Sequence, residues 1–166
     1  MDQPPSIVVL GVGNLLMGDD GVGVRAVREL VRRYALPPAV RVAEGGAATS
    51  RLLDEMGHAT HLIAVDAVMG GGPPGAVYRL ASDRLPARRP AVSTHGIGLV
   101  ELLSLMAAIG RPPAARIVGV QPLAVNQIGD ELSPPVAAAL PGAVAAIVEE
   151  LRALGVDVTE KEPSHA

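Results

Sequence analysis

A small set of polar residues stands where this sequence could do chemistry: Asn14, Asp19, Asp20, Asp66 and His95. Asp66 comes near the end of the apolar run His61-Leu-Ile-Ala-Val-Asp66-Ala-Val68, where an ionised carboxylate is costly unless it is paired or binds a metal. Asp19 and Asp20 sit just before an amphipathic helical pattern. One acid there is accounted for as a cap accepting backbone N–H groups, but two adjacent acids exceed what a cap requires. His95 lies at the start of another helical pattern, in Ser93-Thr94-His95-Gly96. The helix dipole there disfavours the imidazolium and leaves the neutral ring, the form that ligates a metal. Carboxylates and one imidazole together make an oxygen/nitrogen site suited to Zn²⁺, Ni²⁺ or a similar ion, with open coordination positions. His58, His61 and His165 stand in weaker contexts and take no role.

The glycines around Asn14 invite two other chemistries, and both fit poorly. A dinucleotide fingerprint needs Gly-x-Gly-x-x-Gly at the strand-to-helix turn, yet Leu16 stands where the third glycine belongs and two acids follow where pyrophosphate would bind. A phosphate loop needs Gly-Lys-Ser/Thr, and residues 7–25 contain no lysine. No Gly-x-Ser-x-Gly elbow marks a serine hydrolase, and the absence of cysteine excludes disulfides, thiolate metal sites and a cysteine nucleophile together.

The elements that must position these residues follow from periodicity. Ile7–Leu10, His61–Val68 and Arg116–Gln121 are β-branched apolar runs of the kind buried on both sheet faces. Val40–Val42 alternates like a half-buried strand, and Ala76–Leu80 reads as an edge strand after the Gly/Pro loop 70–75. Helical spacing places Val24, Val27, Leu30, Val31 and Tyr34 on one face after Asp20, Leu52, Leu53 and Met56 in a second helix, and Leu99, Leu102, Leu103 and Met106 in a third. Residues 82–94 read as a long connection able to bring His95 beside the aspartates. Ser133-Pro134 starts a last helix as N-cap and first helical position, with a kink expected at Pro141. Strands alternating with helices imply an α/β fold, a three-layer αβα sandwich on a mostly parallel sheet of about five strands. It is read as one domain over residues 1–158, with 159–166 a frayed polar tail.

Composition narrows the function classes. Apolar residues make up 49% of the 166, yet there is no Phe or Trp and only two tyrosines, so the core must be aliphatic. A net charge of −3 argues against a nucleic-acid partner, which needs clustered excess Lys and Arg. No apolar run approaches the ~20 residues that span a bilayer, and the N-terminus lacks the basic start of a secretory signal. A cytoplasmic protein without membrane or nucleotide partners is expected.

With those residues in view, the chain resembles the nickel–iron hydrogenase maturation endopeptidases. Gly11-Val-Gly13-Asn14…Asp19-Asp20-Gly21-Val-Gly23 looks like that family's N-terminal signature. Ile63-Ala-Val-Asp66-Ala is similar to its second motif and Ser93-Thr-His95-Gly-Ile-Gly98-Leu to its histidine motif, with Gly119-Val-Gln121-Pro122 and Leu132-Ser133-Pro134 following in order. The resemblance implies a twisted sheet between helical layers. It also implies an endopeptidase that removes the C-terminal extension of a hydrogenase large-subunit precursor once nickel is inserted. Its metal-contacting positions fall on Asp20, Asp66 and His95, with Asp20 one methylene shorter than the Glu of some members. Asn14 and Glu44 become candidates for positioning the substrate, although the family usually carries Asp at the second position. Nickel supplied by the substrate is the expected cofactor, with zinc or another divalent ion as the alternative. The rival readings are a metal-sensing assembly chaperone that does not cleave and a nucleotide-binding α/β domain.

Lacking cysteine and a serine elbow, the chain is expected to cleave without a covalent side-chain nucleophile of those kinds. Thiol reagents applied to the protease, or a fluorophosphonate, should leave precursor processing intact; stoichiometric serine labelling with loss of activity would overturn this.

Overall fold

A computed structural model describes residues 5–45, 49–82, 99–110 and 112–163. In chain order the elements are β1 (Ile7–Gly11), a 3-10 turn (Gly18–Gly21), α1 (Val22–Arg33), β2 (Tyr34–Ala35), β3 (Val40–Glu44), α2 (Thr49–Met56), β4 (His61–Ala67) and β5 (Val77–Ala81). They continue with α3 (Leu99–Ala108), β6 (Ala114–Val120), α4 (Pro134–Ala153) and β7 (Thr159–Glu160). The five-stranded sheet has the order β3-β1-β4-β6-β5. Four strands run parallel and β5 pairs antiparallel with β6 at the edge. The expected α/β sandwich is the fold observed.

β1, the interior of β4 and the last four residues of β6 are buried on both faces, which is why they read as continuous apolar runs, whereas the edge strand β3 alternates. Side-chain alternation splits the core in two. Ile7 and Val9 of β1 and Ile63 and Val65 of β4 pack with Val27 and Leu30 of α1 and Val144, Ile147 and Leu151 of α4. Val8 and Leu10, with Leu62 and Ala64, face the other way onto Met56 of α2 and Leu99, Leu102 and Met106 of α3. Aliphatic and methionine side chains supply the fully buried hydrophobic residues of both layers among the described residues, with Tyr34 and Tyr78 packed against them.

Three local expectations differ from what is observed. Val31 is 44% exposed rather than inward, because it turns about 100° away from the fully buried Leu30. Tyr34 has left the helix, with φ −121° and ψ 142°. Residues 159–161 are not frayed: Thr159 and Glu160 pair with Ala35 and Tyr34, Lys161 N donates to Arg33 O at 2.7 Å, and Glu160 accepts from Arg33. The backbone groups left open at the end of α1 provide that docking edge. α4 runs from Pro134 to Ala153 with Pro141 inside it.

The approach of α1 to the sheet is what positions the site. A Cβ on Gly23 would lie 2.1 Å from Val65 O and 2.5 Å from Val12 O, both rigid backbone. Gly23→Ala therefore has to lift the helix. Its expected effect is a loss of about 1–3 kcal/mol, the range for overpacking, read as a lower urea midpoint.

Candidate functional site

In a sheet of this order the chain leaves β1 toward β3 on one side and β4 toward β6 and β5 on the other, so the strand order reverses between β1 and β4. Open α/β sheets bind ligands outside the carboxyl ends of the strands at such a point. Asn14 and Asp20 follow β1, and Asp66 is the penultimate residue of β4. The 3-10 turn carrying Asp20 packs against β4. Asp20 and Asp66 thus stand at the same end of the sheet, after or at the ends of adjacent strands.

Asp66 is 1% exposed. Alternation continues Leu62 and Ala64, so it faces the layer of α2 and α3, opposite Gly119 in the β4–β6 register. Asp20 and Asn14 are bonded to each other: Asn14 N donates to Asp20 Oδ2 at 2.8 Å. Leu16 N donates to Asn14 Oδ1 at 2.9 Å, which fixes the side-chain amide and leaves its NH₂ as the donor it can offer a substrate. The turn is tight because Gly13 has φ +126° and its missing Cβ would lie 1.8 Å from Asp20 O. A phosphate bound at this loop would have to take the N–H that Asp20 already occupies, which weighs against a nucleotide site.

The paired acids do not share a role, and neither caps α1, whose N-cap is Gly21 without a side-chain bond. Asp19 is 3% exposed and turned inward. Its Oδ1 accepts from Ser133 N at 2.7 Å, and its Oδ2 from Leu123 N at 2.9 Å, Ala124 N at 3.4 Å and the Ser133 hydroxyl at 2.7 Å. Burial pushes the Asp19 carboxyl up, but these donors, the Ser133 N–H foremost, outweigh it and hold the group below the ordinary 3.8. Ser133 does occupy the N-cap position of α4, but its hydroxyl serves Asp19 instead of the helix. With Pro134 and Pro135 next, two of the N–H groups a cap would satisfy do not exist.

Glu44 ends β3 on the far side of β1, in register with Gly11. Its carboxylate is held by Arg28 of α1 through Nε–Oε1 at 2.7 Å and Nη2–Oε2 at 2.9 Å. The hydrogen bonds from Arg28 hold the Glu44 carboxyl below its ordinary 4.5 against the opposing effect of burial. It lies on the α1 side of the sheet, whereas Asp66 faces α3. His95 lies outside the described residues, four positions before the first residue of α3, the helix packed on the face that carries Asp66. Among the described residues no group of three His, Cys, Asp or Glu side chains could hold a metal ion.

One contributor was given no role in the sequence reading. Gln121, 5% exposed at the end of β6, accepts at Oε1 from Gly70 N (2.9 Å), Gly71 N (3.2 Å) and the Tyr78 hydroxyl (3.0 Å), so it braces the loop that follows Asp66. Its sequence signal was an amide closing an apolar strand just before proline, within the run Gly119-Val-Gln121-Pro122. Glu150 is also buried, at 4%, but Arg79 and Arg116 bind it on the opposite face, which gives it a structural explanation. No helix among the described residues is long and apolar enough to cross a membrane.

The chain is similar to known proteins in sequence and fold. A family model described as hydrogenase maturation protease matches residues 24–150. The hydrogenase 2 maturation protease of Escherichia coli (strain K12) is 37% identical over 163 residues, covering 96% of this chain and 98% of that protein. The hydrogenase expression/formation protein HupD of Rhodobacter capsulatus is 36% identical over 161 residues, covering 95% and 77% respectively. Among solved structures, the hydrogenase maturating endopeptidase HybD from E. coli superposes with a TM-score of 0.82 at 35% identity, over 93% of this chain and 97% of that one.

Asp19→Asn tests the inward acid. Whichever way the amide is turned, its NH₂ faces an N–H donor, from Ser133 or from Leu123, and the expected loss is about 1–3 kcal/mol at neutral pH. Because the folded-state pKa lies below 3.8, the ionised carboxylate stabilises the fold above that pH, and the contribution is lost as pH falls below it. Urea midpoints should therefore drop more steeply with falling pH in the wild type than in Asp19→Asn, over about one unit either side of the ordinary carboxylate pKa values.

Proposed function

Since the chain belongs to the hydrogenase maturation protease family, we propose that it is the endopeptidase that removes the C-terminal extension of a hydrogenase large-subunit precursor after nickel has been inserted. One observation carries this reading to particular residues: Asp20 and Asp66 are delivered to the strand-order reversal from the ends of β1 and β4. The proposed metal ligands are Asp20, Asp66 and His95. The donor chemistry fits, because carboxylate oxygens and an imidazole suit nickel or zinc and a carboxylate 1% exposed at a strand end favours a cation beside it. When bound there, the ion supplies positive charge to polarise a scissile carbonyl or acidify water.

The remaining roles belong to the chain itself. The Asn14 N–H holds Asp20 in a single orientation, and the Asn14 side-chain NH₂ is available to donate to a substrate carbonyl. Glu44, fixed by Arg28, is proposed as a more distant positioning group at the far side of β1. Water is the proposed nucleophile. The ion is proposed to arrive with the precursor, because three ligands with no Cys and a single His are a modest set for holding a borderline metal alone, and the chain has no His-Glu-x-x-His. Action in the cytoplasm, without nucleic acid or nucleotide, completes the reading.

Asp66→Ala and His95→Ala are each expected to abolish shortening of the precursor while circular dichroism and the melting transition stay in place. Metal-free protease should process nickel-loaded precursor and leave nickel-free precursor intact. Comparable processing of metal-free precursor by zinc-loaded protease would make this an ordinary metallopeptidase, and binding of the precursor without shortening would favour the chaperone reading.

A further inference from the structure

Large apolar side chains are exposed at one edge of the molecule. Leu16 is 66% exposed, Met69 49%, Leu123 58% and Ile128 92%. They lie on the three loops that follow β1, β4 and β6, the same sheet edge to which Asn14, Asp20 and Asp66 are delivered. Single exposed hydrophobes are ordinary, but several gathered around a candidate site mark a surface that meets a partner.

These loops are tied together rather than loose. Gly129 N donates to Leu16 O at 2.9 Å and Gly18 N to Gly129 O at 2.8 Å, so the segments carrying Leu16 and Ile128 run side by side. The Asp19 carboxylate pins the backbone of Leu123, Ala124 and Ser133 to the 3-10 turn. Gln121 Oε1 holds Gly70 and Gly71, and its Nε2 lies 3.7 Å from Met69 Sδ, which joins the third loop to the other two. Apolar side chains on backbone fixed in this way lose little conformational entropy when covered, which is the economy of a preorganised binding surface. Exposed Asn126, Gln127, Asp130 and Glu131 flank Leu123 and Ile128, giving the apolar centre and polar border of a protein interface.

We propose that Leu16, Met69, Leu123 and Ile128 form the docking rim for the folded protein substrate, seating an apolar surface of the precursor beside its scissile segment. The inference rests on the proposed proteolytic function and deepens it. The continuity between rim and crevice names the occupant: a polypeptide whose backbone reaches Asp20 and Asp66 has to lie over these loops. Asp19 and Gln121 are then positioning residues that act through the loops they hold.

The test measures precursor shortening against precursor concentration for wild type, Ile128→Asp, Leu123→Asp, the milder Ile128→Ser, and Ile109→Asp as control. Ile109 is 56% exposed and leads toward the opposite end of β6. Substituting a buried apolar anchor should raise KM about tenfold or more with kcat retained, while Ile109→Asp leaves both unchanged. Direct binding of the precursor to Asp66→Asn protease should weaken in parallel when Ile128→Asp is added. An unchanged KM and unchanged binding in the rim variants, with wild type still cleaving, would overturn the rim and leave the proteolytic reading standing. Failure of the wild type to shorten any precursor would remove that reading and the rim with it. A dimer of the free protein that Ile128→Asp dissociates would reassign the rim to self-association.

Discussion

The site depends on one backbone contact. α1 rests on the ends of β1 and β4 through Gly23, where any Cβ would meet Val65 O at 2.1 Å and Val12 O at 2.5 Å. Val65 O also accepts from Val12 N at 2.8 Å, so a single carbonyl fixes both the continuation of β1 and the start of the helix. Asp66 is the next residue after that carbonyl, and Asp20 stands three residues before Gly23. The backbone positions of Asp20 and Asp66 are therefore related through rigid packing, the kind of support that catalytic or metal-binding groups require. Gly13 tightens the same segment from the other side, with its positive φ and no room for a side chain against Asp20 O.

Around that contact, the acids divide by what surrounds them. Asp19, Glu44 and Glu150 are each matched by identified donors, and each has its pKa held below the ordinary value against the opposing effect of burial. Asp19 is met by three backbone N–H groups and a hydroxyl, and Glu150 by two guanidinium groups. Such networks specify where loops and helices lie. Asp20 and Asp66 differ in position: they stand where the strands end and the backbone turns away.

How much of this was legible in sequence follows from the range of each interaction. The buried parallel strands announce themselves because both faces are apolar, and the two-layer core follows from period-two alternation. The placement of Asp66 near a strand end was legible for the same reason. The division between Asp19 and Asp20 was not: neighbouring residues in a 3-10 turn point about 120° apart, and which one faces inward is decided by Leu123 and Ser133, more than a hundred residues away. Ser133 shows the same limit, since its spacing before two prolines marks a helix start but cannot reveal that its hydroxyl is committed elsewhere. Gln121 braces Gly70 and Gly71 across adjacent strands, a relation that no local pattern encodes. Tyr34 differs from the expectation because periodicity extends the helical face past the point where the helix ends, and Val31 because it stands at the edge of the buried stripe, turned away from Leu30.

On the proposed function, the architecture separates two kinds of recognition. A metal held among carboxylates and an imidazole discriminates by charge and ligand type, and it would respond in the same way to any partner presenting the right ion. An apolar rim discriminates by shape and cannot sense whether a metal is present. A protease that must act on one protein, and only after that protein has been metallated, needs both tests to be passed together. Their free energies combine only if the rim and the crevice are rigidly related, since slack between them would let either be satisfied alone. Asp19 supplies that rigidity: it belongs to the turn that carries Asp20, and its carboxylate holds the loop that carries Leu123. The acid that neither caps the helix nor joins the proposed metal ligands is the link that makes the two tests one.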